Sequence, residues 1–148
     1  MSQTVLITGA SNGIGKACAR VFARKGYDLV LVARHREKLE VVKEELSEYD
    51  VHIKVVVMDL TGEDAAVDLY NNLVLDDISI DILVNNAGFG DHGAFHDSSW
   101  EKQKKMVLLN IMALMQMTYV FGQSMKRRKK GRILNVASIA GLCAGPYM

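Results

Sequence analysis

One pattern recurs along this 148-residue sequence and constrains its fold more than any other feature. A short apolar run rich in β-branched residues is followed by a turn and then by a segment with helical periodicity. The apolar runs cover residues 4–8, 28–33, 52–59, 80–88 and 131–138. They are apolar nearly throughout, which is typical of parallel strands that helices cover on both faces. The pattern predicts an α/β fold, a doubly wound parallel sheet in three α/β/α layers.

Four helices are predicted between these strands. The first covers residues 13–25, and the second covers residues 36–49, where apolar residues recur at helical spacing. Thr61 is expected to cap the third helix. The fourth, over residues 99–130, begins at a serine cap and ends in a basic run closed by Gly131. Cations favour a helix C-terminus, so this run indicates a solvated helix end and no nucleic-acid site.

Bulk composition indicates one globular domain over residues 1–148 and excludes several function classes. The formal net charge is +1, so no overall field attracts nucleic acid or an anionic membrane. Cys18 and Cys143 lack CxxC spacing, which fits small buried hydrophobic residues in a reducing compartment. His92 and His96 lie four residues apart without a third ligand, so no metal site is expected. The N-terminus has no signal-peptide pattern, and a cytoplasmic location is expected.

The fourth helix is apolar nearly all round between residues 106 and 121. A helix that covers one sheet face needs a single apolar stripe, so its second face requires another cover. A missing helix of the same chain, a partner subunit, or both would supply that cover, and we expect a homo-oligomer formed through helix 99–130. Asn110, Gln116 and Thr118 make the stretch too polar for a comfortable membrane span, so no membrane partner is expected.

A glycine-rich turn, "TGASNGIG", follows the first strand. Gly9, Gly13 and Gly15 do not fit the GxGxxG spacing of the best-known dinucleotide fingerprint. The physical logic still applies, because glycines permit a tight turn and a close backbone approach. The helix that begins near Gly13 also directs free N–H groups and its positive dipole end toward a pyrophosphate.

Three further motifs, "LVAR", "NNAG" and "NVAS", end the second, fourth and fifth strands. Ligands of open α/β sheets bind at the carboxyl ends of strands, where all three motifs lie. Together with "TGASNGIG" they resemble the short-chain dehydrogenase/reductase family, whose pattern is TGxxxGxG, NNAG, a catalytic serine and then YxxxK. The resemblance covers the whole chain. It implies a Rossmann-type fold that is incomplete at its C-terminal side, as the N-terminal, NAD(P)-binding portion of a longer reductase.

The resemblance also implies roles for particular residues. The implied contacts to the cofactor phosphates and the adjoining ribose come from Gly9, Ser11, Asn12, Ile14 and Gly15. By the same resemblance, Asp59 and Leu60 would contact the adenine. The cofactor would be lined at the central crevice by Asn86, Ala87 and Gly88. Asp59 has a second interpretation as the cap of the turn after its strand. Asn110 would support a water-linked proton relay or, alternatively, satisfy backbone groups only. Ser138 would hydrogen-bond a substrate carbonyl.

Charge at the end of the second strand favours NADP(H) over NAD(H). An acidic residue there would accept hydrogen bonds from an unmodified ribose and repel a 2′-phosphate. This sequence has Ala33 followed by Arg34, with His35 and Arg36 nearby. Arginine offers a planar charged fork that suits a phosphate, so Arg34 is the predicted ligand of that group.

The resemblance implies a carbonyl–alcohol oxidoreductase acting on a small molecule, and the chain stops before its proton donor. In the family a tyrosine donates the proton, and a lysine four residues later lowers the tyrosine pKa. Tyr147 lies too close to Ser138 and has no lysine partner, so it is interpreted as a loop residue. The chain alone is expected to be inactive. A non-catalytic dinucleotide-binding or assembly module is the alternative, and the glycine spacing and NNAG disfavour a nucleotide-sugar epimerase.

Overall fold

The computed structural model describes residues 2–143 and contains five parallel strands. The strands are β1 (Thr4–Thr8), β2 (Asp28–Ala33), β3 (Ile53–Val57), β4 (Ile82–Asn85) and β5 (Arg132–Asn135). They form one sheet in the order β3-β2-β1-β4-β5. The chain therefore winds outward from β1 to β3 and then crosses back to place β4 on the other side of β1. This reversal opens a crevice at the carboxyl ends of β1 and β4.

Helices cover both faces of the sheet. They are α1 (Gly13–Arg24), α2 (Arg36–Glu45), α3 (Ala65–Leu75), α4 (Trp100–Val107) and α5 (Leu114–Arg128), with a π-helical segment at Leu108–Ala113 and 3-10 turns at Phe95–Asp97 and Ile139–Gly141. The α4, π-helical and α5 segments run on without a break and are called here the long helix, Trp100–Arg128.

Two apolar cores lie on opposite faces of the sheet, because successive strand side chains point in opposite directions. On one face Val5 and Ile7 of β1 pack in the same cluster as buried residues of α1 and α2. On the other face Leu6 packs with α3 and with Met117 and Phe121 of the long helix. The predicted three-layer α/β/α architecture is therefore confirmed.

Several predicted helix ends were wrong. The second helix ends at Glu45, and the third begins at Ala65, so Thr61 does not cap it. The long helix closes at Lys129, which has a left-handed φ of 53°, and not at Gly131 as predicted. Gly131 is required for another reason, since a Cβ there would lie 2.3 Å from Cγ of Met125.

The long helix departs from the predicted uniform α-helix over residues 99–130. Its π-helical segment contains Asn110, and insertions of this kind occur frequently at functional sites. Only 17% of its most apolar 18-residue stretch is buried, and by length and composition alone this helix could also cross a membrane. Core helices of soluble proteins meet the same criteria, so the finding by itself identifies neither a membrane span nor a partner.

Asp81 joins three segments at the amino end of the sheet. Its carboxylate accepts hydrogen bonds from the Thr4 N–H at 3.2 Å and from Arg128 at 3.2 Å, and it pairs with Lys130 at 3.1 Å. Burial opposes ionisation of this carboxyl. The bonds from Lys130, Thr4 and Arg128 outweigh that effect and hold the pKa of Asp81 below its usual value of 3.8.

Replacing Asp81 with asparagine should lower the free energy of unfolding at neutral pH by about 2 kcal/mol, because Arg128 loses its counter-ion. A carboxyl with a lowered pKa in the folded state stabilises only while ionised, so the difference from wild type should begin to shrink below about pH 4 and should vanish once the pH falls below the lowered pKa of folded Asp81. Urea unfolding across this range measures it. Asp76→Asn, which breaks an exposed pair with Lys54, is the matched control and should cost less than about 1 kcal/mol. A deficit for Asp81→Asn that is independent of pH would contradict the prediction.

Candidate functional site

The turn after β1 packs closely against the end of β4. Gly9 has a φ of +65°, in the left-handed region that favours glycine. A Cβ on Gly15 would lie 2.3 Å from the carbonyl oxygen of Gly9 and 2.5 Å from Nδ2 of Asn86. Glycine at these positions is therefore a steric requirement of the turn itself, independent of any ligand.

Thr8 and Asn86 fasten this turn to β4. The Thr8 hydroxyl oxygen accepts the N–H groups of Asn86 and Ala87, each at 2.9 Å, and donates to the Val84 carbonyl at 3.3 Å. The Asn86 amide donates to the carbonyls of Thr8 and Gly9 at 3.0 and 3.2 Å. Thr8 was not among the site residues predicted from the sequence, although its place at the head of the glycine turn is a signal that could have identified it.

A cavity of about 240 Å³ opens at the carboxyl ends of the strands, in front of α1. It is lined by Gly9, Ser11, Asn12, Val32, Ala33, Arg34, His35, Lys38, Met58, Asp59, Leu60, Ala87, Gly88 and Leu109. The first turn of α1 has no acidic residue, and Asn12 makes no side-chain cap to the helix. The free N–H groups and the positive dipole end of α1 can therefore serve an anion in this cavity, called here the nucleotide cavity.

Asp59 has a structural role that leaves one oxygen available. Its Oδ1 accepts the Thr61 N–H at 3.0 Å and the Thr61 hydroxyl at 2.9 Å, so the interpretation as a turn cap is supported. The hydrogen bond from the Thr61 N–H holds the pKa of Asp59 below its usual value, although burial opposes this effect. The Thr61 hydroxyl and the charges of Arg34 and Lys105 lower the pKa further. In the described part of the chain no hydrogen bond reaches Oδ2, which can accept from a ligand in the cavity.

A second cavity, of about 610 Å³, lies beside the first and brings together the "NNAG" and "NVAS" motifs. Asn86, Ala87, Gly88, Asn110 and Ser138 all line it. Ser138 stands three residues beyond β5 and caps a 3-10 turn, where its Oγ accepts the Ala140 N–H at 3.1 Å. Because that bond uses only a lone pair, the hydroxyl proton of Ser138 remains available for an acceptor in this cavity.

Asn110 binds the backbone of the loop after β4. Its Oδ1 accepts the Phe89 N–H at 3.1 Å, and its Nδ2 donates to the Phe89 carbonyl at 2.8 Å. The amide thus satisfies backbone groups, as the alternative interpretation expected, and fixes one wall of the second cavity. The proton relay stays a prediction.

A pair of asparagines holds β5 in register with β4. Asn85 and Asn135 lie opposite each other on the two strands, and Nδ2 of Asn85 donates to Oδ1 of Asn135 at 2.9 Å. The same Nδ2 donates to the Thr118 hydroxyl of the long helix at 3.0 Å. These contacts fix the distance along the sheet between the "NNAG" motif and Ser138.

Not every predicted site residue lines a cavity. Ile14 and Gly15 line neither; Ile14 is 60% exposed, and Gly15 is buried in the turn. Tyr147 lies outside the described residues. His35 and Lys38 also line the nucleotide cavity, although neither was among the predicted site residues. Among the described residues, no group of three or more His, Cys, Asp or Glu side chains could hold a metal ion.

Comparison with known proteins agrees with this geometry. The profile of the family described as short chain dehydrogenase matches residues 3–148. The 17-beta-hydroxysteroid dehydrogenase type 3 of Mus musculus is 38% identical over 154 residues, and the match covers 99% of this chain and 48% of that protein. The very-long-chain 3-oxoacyl-CoA reductase of Anas platyrhynchos is 35% identical over 150 residues, with coverages of 97% and 47%.

The fold is also similar to that of a solved structure. The short-chain dehydrogenase from Sphingobium yanoikuyae in complex with NADPH superposes with a TM-score of 0.88 at 36% identity, covering 95% of this chain and 56% of that one. The chain therefore spans about half the length of the relatives it matches.

Proposed function

Because the chain belongs to the short-chain dehydrogenase family, we propose that the intact protein is an NADP(H)-dependent oxidoreductase that interconverts a carbonyl and an alcohol on a small molecule. One observation carries the proposal: the glycine turn, Arg34 and Asp59 line a single cavity that adjoins the cavity of Ser138. The glycine turn and the "NVAS" motif, which are far apart in the sequence, would thereby serve two adjacent cavities of one site.

The residues of the nucleotide cavity suit a dinucleotide that carries an additional phosphate. The absence of an acidic residue in the first turn of α1 leaves that helix end suited to a pyrophosphate. The Oδ2 of Asp59 can accept a hydrogen bond from the exocyclic amine of the adenine, and Arg34 supplies a planar cation for an additional phosphate. When bound, the cofactor would supply a hydride to the substrate carbon or accept one from it.

In the second cavity the chain's own contribution is to hold a carbonyl oxygen. The Ser138 hydroxyl donates a hydrogen bond to that oxygen, and the bond strengthens as negative charge develops on it. The Ala140 N–H orients the hydroxyl for this purpose. The proton that completes the reaction comes from a group outside this chain's described residues, in agreement with the tyrosine that the family resemblance implies.

NADPH oxidation by the intact protein, followed over a panel of ketones that includes steroid and acyl-thioester substrates, tests the function directly. The proposal expects turnover with at least one ketone and measurable NADPH binding. Binding without turnover on any member would favour the non-catalytic dinucleotide-binding module.

Ser138→Ala in the intact protein should lower kcat on the best ketone by about 10²-fold, because one donor to the developing charge is lost. NADPH affinity should change less than about 2-fold, since Ser138 lies outside the nucleotide cavity. Steady-state kinetics and NADPH fluorescence titration measure the two effects. A Ser138→Ala enzyme with wild-type kcat would contradict the assigned role.

We also propose that a second copy of the protein covers the exposed face of the long helix. Ile111, Met115 and Tyr119 follow one another at helical spacing on this face and are 51%, 59% and 69% exposed. A groove beside them is lined by Leu60, Met112 and other apolar groups. An apolar stripe of this kind on a surface helix is the usual mark of an interface.

Met115→Glu should weaken self-association by at least about 10-fold, because a carboxylate at the centre of an apolar contact loses its water. Sedimentation velocity over a concentration series measures the effect. Val41→Glu introduces the same charge at a 56% exposed apolar residue of α2, on the other face of the sheet, and should leave association unchanged. Equal behaviour of the two variants, or a wild type that stays monomeric while binding lipid vesicles, would overturn this interface.

A further inference from the structure

We propose that Asp91 is a positioning residue for the ketone, whose ion pair with Lys102 holds one wall of the second cavity in the shape that binds the substrate. The inference rests on the proposed function and deepens it, because it identifies a residue that sets the affinity for the substrate. Asp91 lies three residues beyond the "NNAG" motif, in the loop between β4 and the long helix. It does not line the nucleotide cavity.

Residues 89–91 form the loop wall of the second cavity, and Ser138 lines the same cavity. A ketone whose oxygen accepts a hydrogen bond from Ser138 would therefore lie close to this wall. Asp91 is the only ionisable side chain among the described residues that line the second cavity. An unpaired carboxylate that loses water when a neutral substrate binds beside it is costly, so this charge requires a partner.

That partner is Lys102 of α4. The ammonium of Lys102 donates to Oδ1 of Asp91, whose side chain is only 16% exposed. The Gln103 amide donates to Oδ2 at 3.2 Å, and the His92 N–H donates to Oδ1 at 3.0 Å. The bond from Lys102 holds the pKa of Asp91 below its usual value, although burial opposes this effect. Asp91 is therefore ionised at neutral pH, with donors on both of its oxygens.

The loop wall is fastened to the long helix at two points. Asn110 binds the N–H and the carbonyl of Phe89, and Gln103 binds Asp91 two residues later. Gln103 and Asn110 lie seven residues apart, about two helical turns, so they project from the same side of the helix. Met106 lies between them in the sequence and lines the cavity. The contacts of Asp91 therefore help to fix the space between the loop wall and the helix, where the substrate would bind.

Two neighbouring charges provide matched controls. Asp97 belongs to the same loop, but its side chain is 77% exposed, its carboxylate lies 3.6 Å from Nε2 of His96, and it lines neither cavity. Lys104 belongs to the same helix as Lys102 and makes no ion pair within the described residues. Asp97→Asn and Lys104→Gln therefore remove the same charges nearby without disturbing the loop wall.

Steady-state kinetics of the intact protein, with the best ketone of the panel, test the inference. Asp91→Asn and Lys102→Gln should each raise KM about 5-fold and change kcat less than about 2-fold, because the wall moves while Ser138 stays in place. The double variant should raise KM no further, since both changes break the same ion pair. Lys102→Arg keeps the charge and should restore KM to within about 2-fold of wild type. Asp97→Asn and Lys104→Gln should leave KM unchanged.

The outcomes separate this inference from the proposed function. If wild type reduces a ketone and Asp91→Asn has the KM of wild type, the role of Asp91 is overturned and the oxidoreductase proposal stands. A higher KM in Asp91→Asn but not in Lys102→Gln would show that the ion pair is not the cause, and would also overturn it. Weaker NADPH binding in either variant would indicate a general disturbance and count equally against it. If wild type turns over no ketone, both proposals fail.

Discussion

Gly15→Ala in the intact protein should abolish measurable NADPH binding, a loss of about 10³-fold or more in affinity. The added Cβ would lie 2.3 Å from the Gly9 carbonyl oxygen and 2.5 Å from Nδ2 of Asn86. Neither neighbour can yield easily, because one is backbone and the other donates two hydrogen bonds to the chain after β1. The whole turn must therefore move, and with it Gly9 and Ser11, which line the nucleotide cavity.

Gly62→Ala is the matched control for this effect. Gly62 lies in the turn after β3, and a Cβ there would meet its neighbours at ordinary distances of 3.7 and 3.8 Å. Its substitution should change NADPH affinity less than about 2-fold. Fluorescence titration measures binding, and thermal unfolding of each variant separates a displaced turn from an unfolded protein. A folded Gly15→Ala protein with wild-type affinity would contradict the packing described here.

The sheet and its helices could be predicted because apolar runs and helical periodicity follow directly from burial on both faces. The site could be predicted as far as motifs mark strand ends. The π-helical segment around Asn110 could not, because one extra residue per turn leaves no periodic mark in a helix that is apolar all round. Lys38 could not be predicted as a cavity residue, because the sequence does not show which cation of α2 faces the cavity and which pairs with Glu40.

Arg34→Asp should reverse the proposed preference for NADPH, changing the ratio of NADPH to NADH affinities by on the order of 10³-fold. Loss of the guanidinium would remove the proposed charge-assisted hydrogen bonds to the 2′-phosphate, and the new carboxylate would repel that dianion. Toward NADH the carboxylate can instead accept hydrogen bonds from the ribose hydroxyls. Titration of the purified variant with both cofactors gives the ratio, and Arg36→Asp, the same charge change outside the cavity, should leave it unaltered.

Asp59 should limit how much Arg34→Asp gains in affinity for NADH. The charge of Arg34 helps to hold the pKa of Asp59 low, so Arg34→Asp exchanges a favourable neighbour for a second carboxylate in the same cavity. Part of the gain toward NADH is thereby lost, and most of the change in ratio should come from weaker NADPH binding. Arg34→Gln removes the attraction without adding repulsion, so its ratio should lie between wild type and Arg34→Asp. Identical ratios of NADPH to NADH affinity in wild type, Arg34→Gln and Arg34→Asp would show that Arg34 does not select the cofactor. A graded series would assign the difference between Arg34→Gln and Arg34→Asp to electrostatic repulsion of the phosphate.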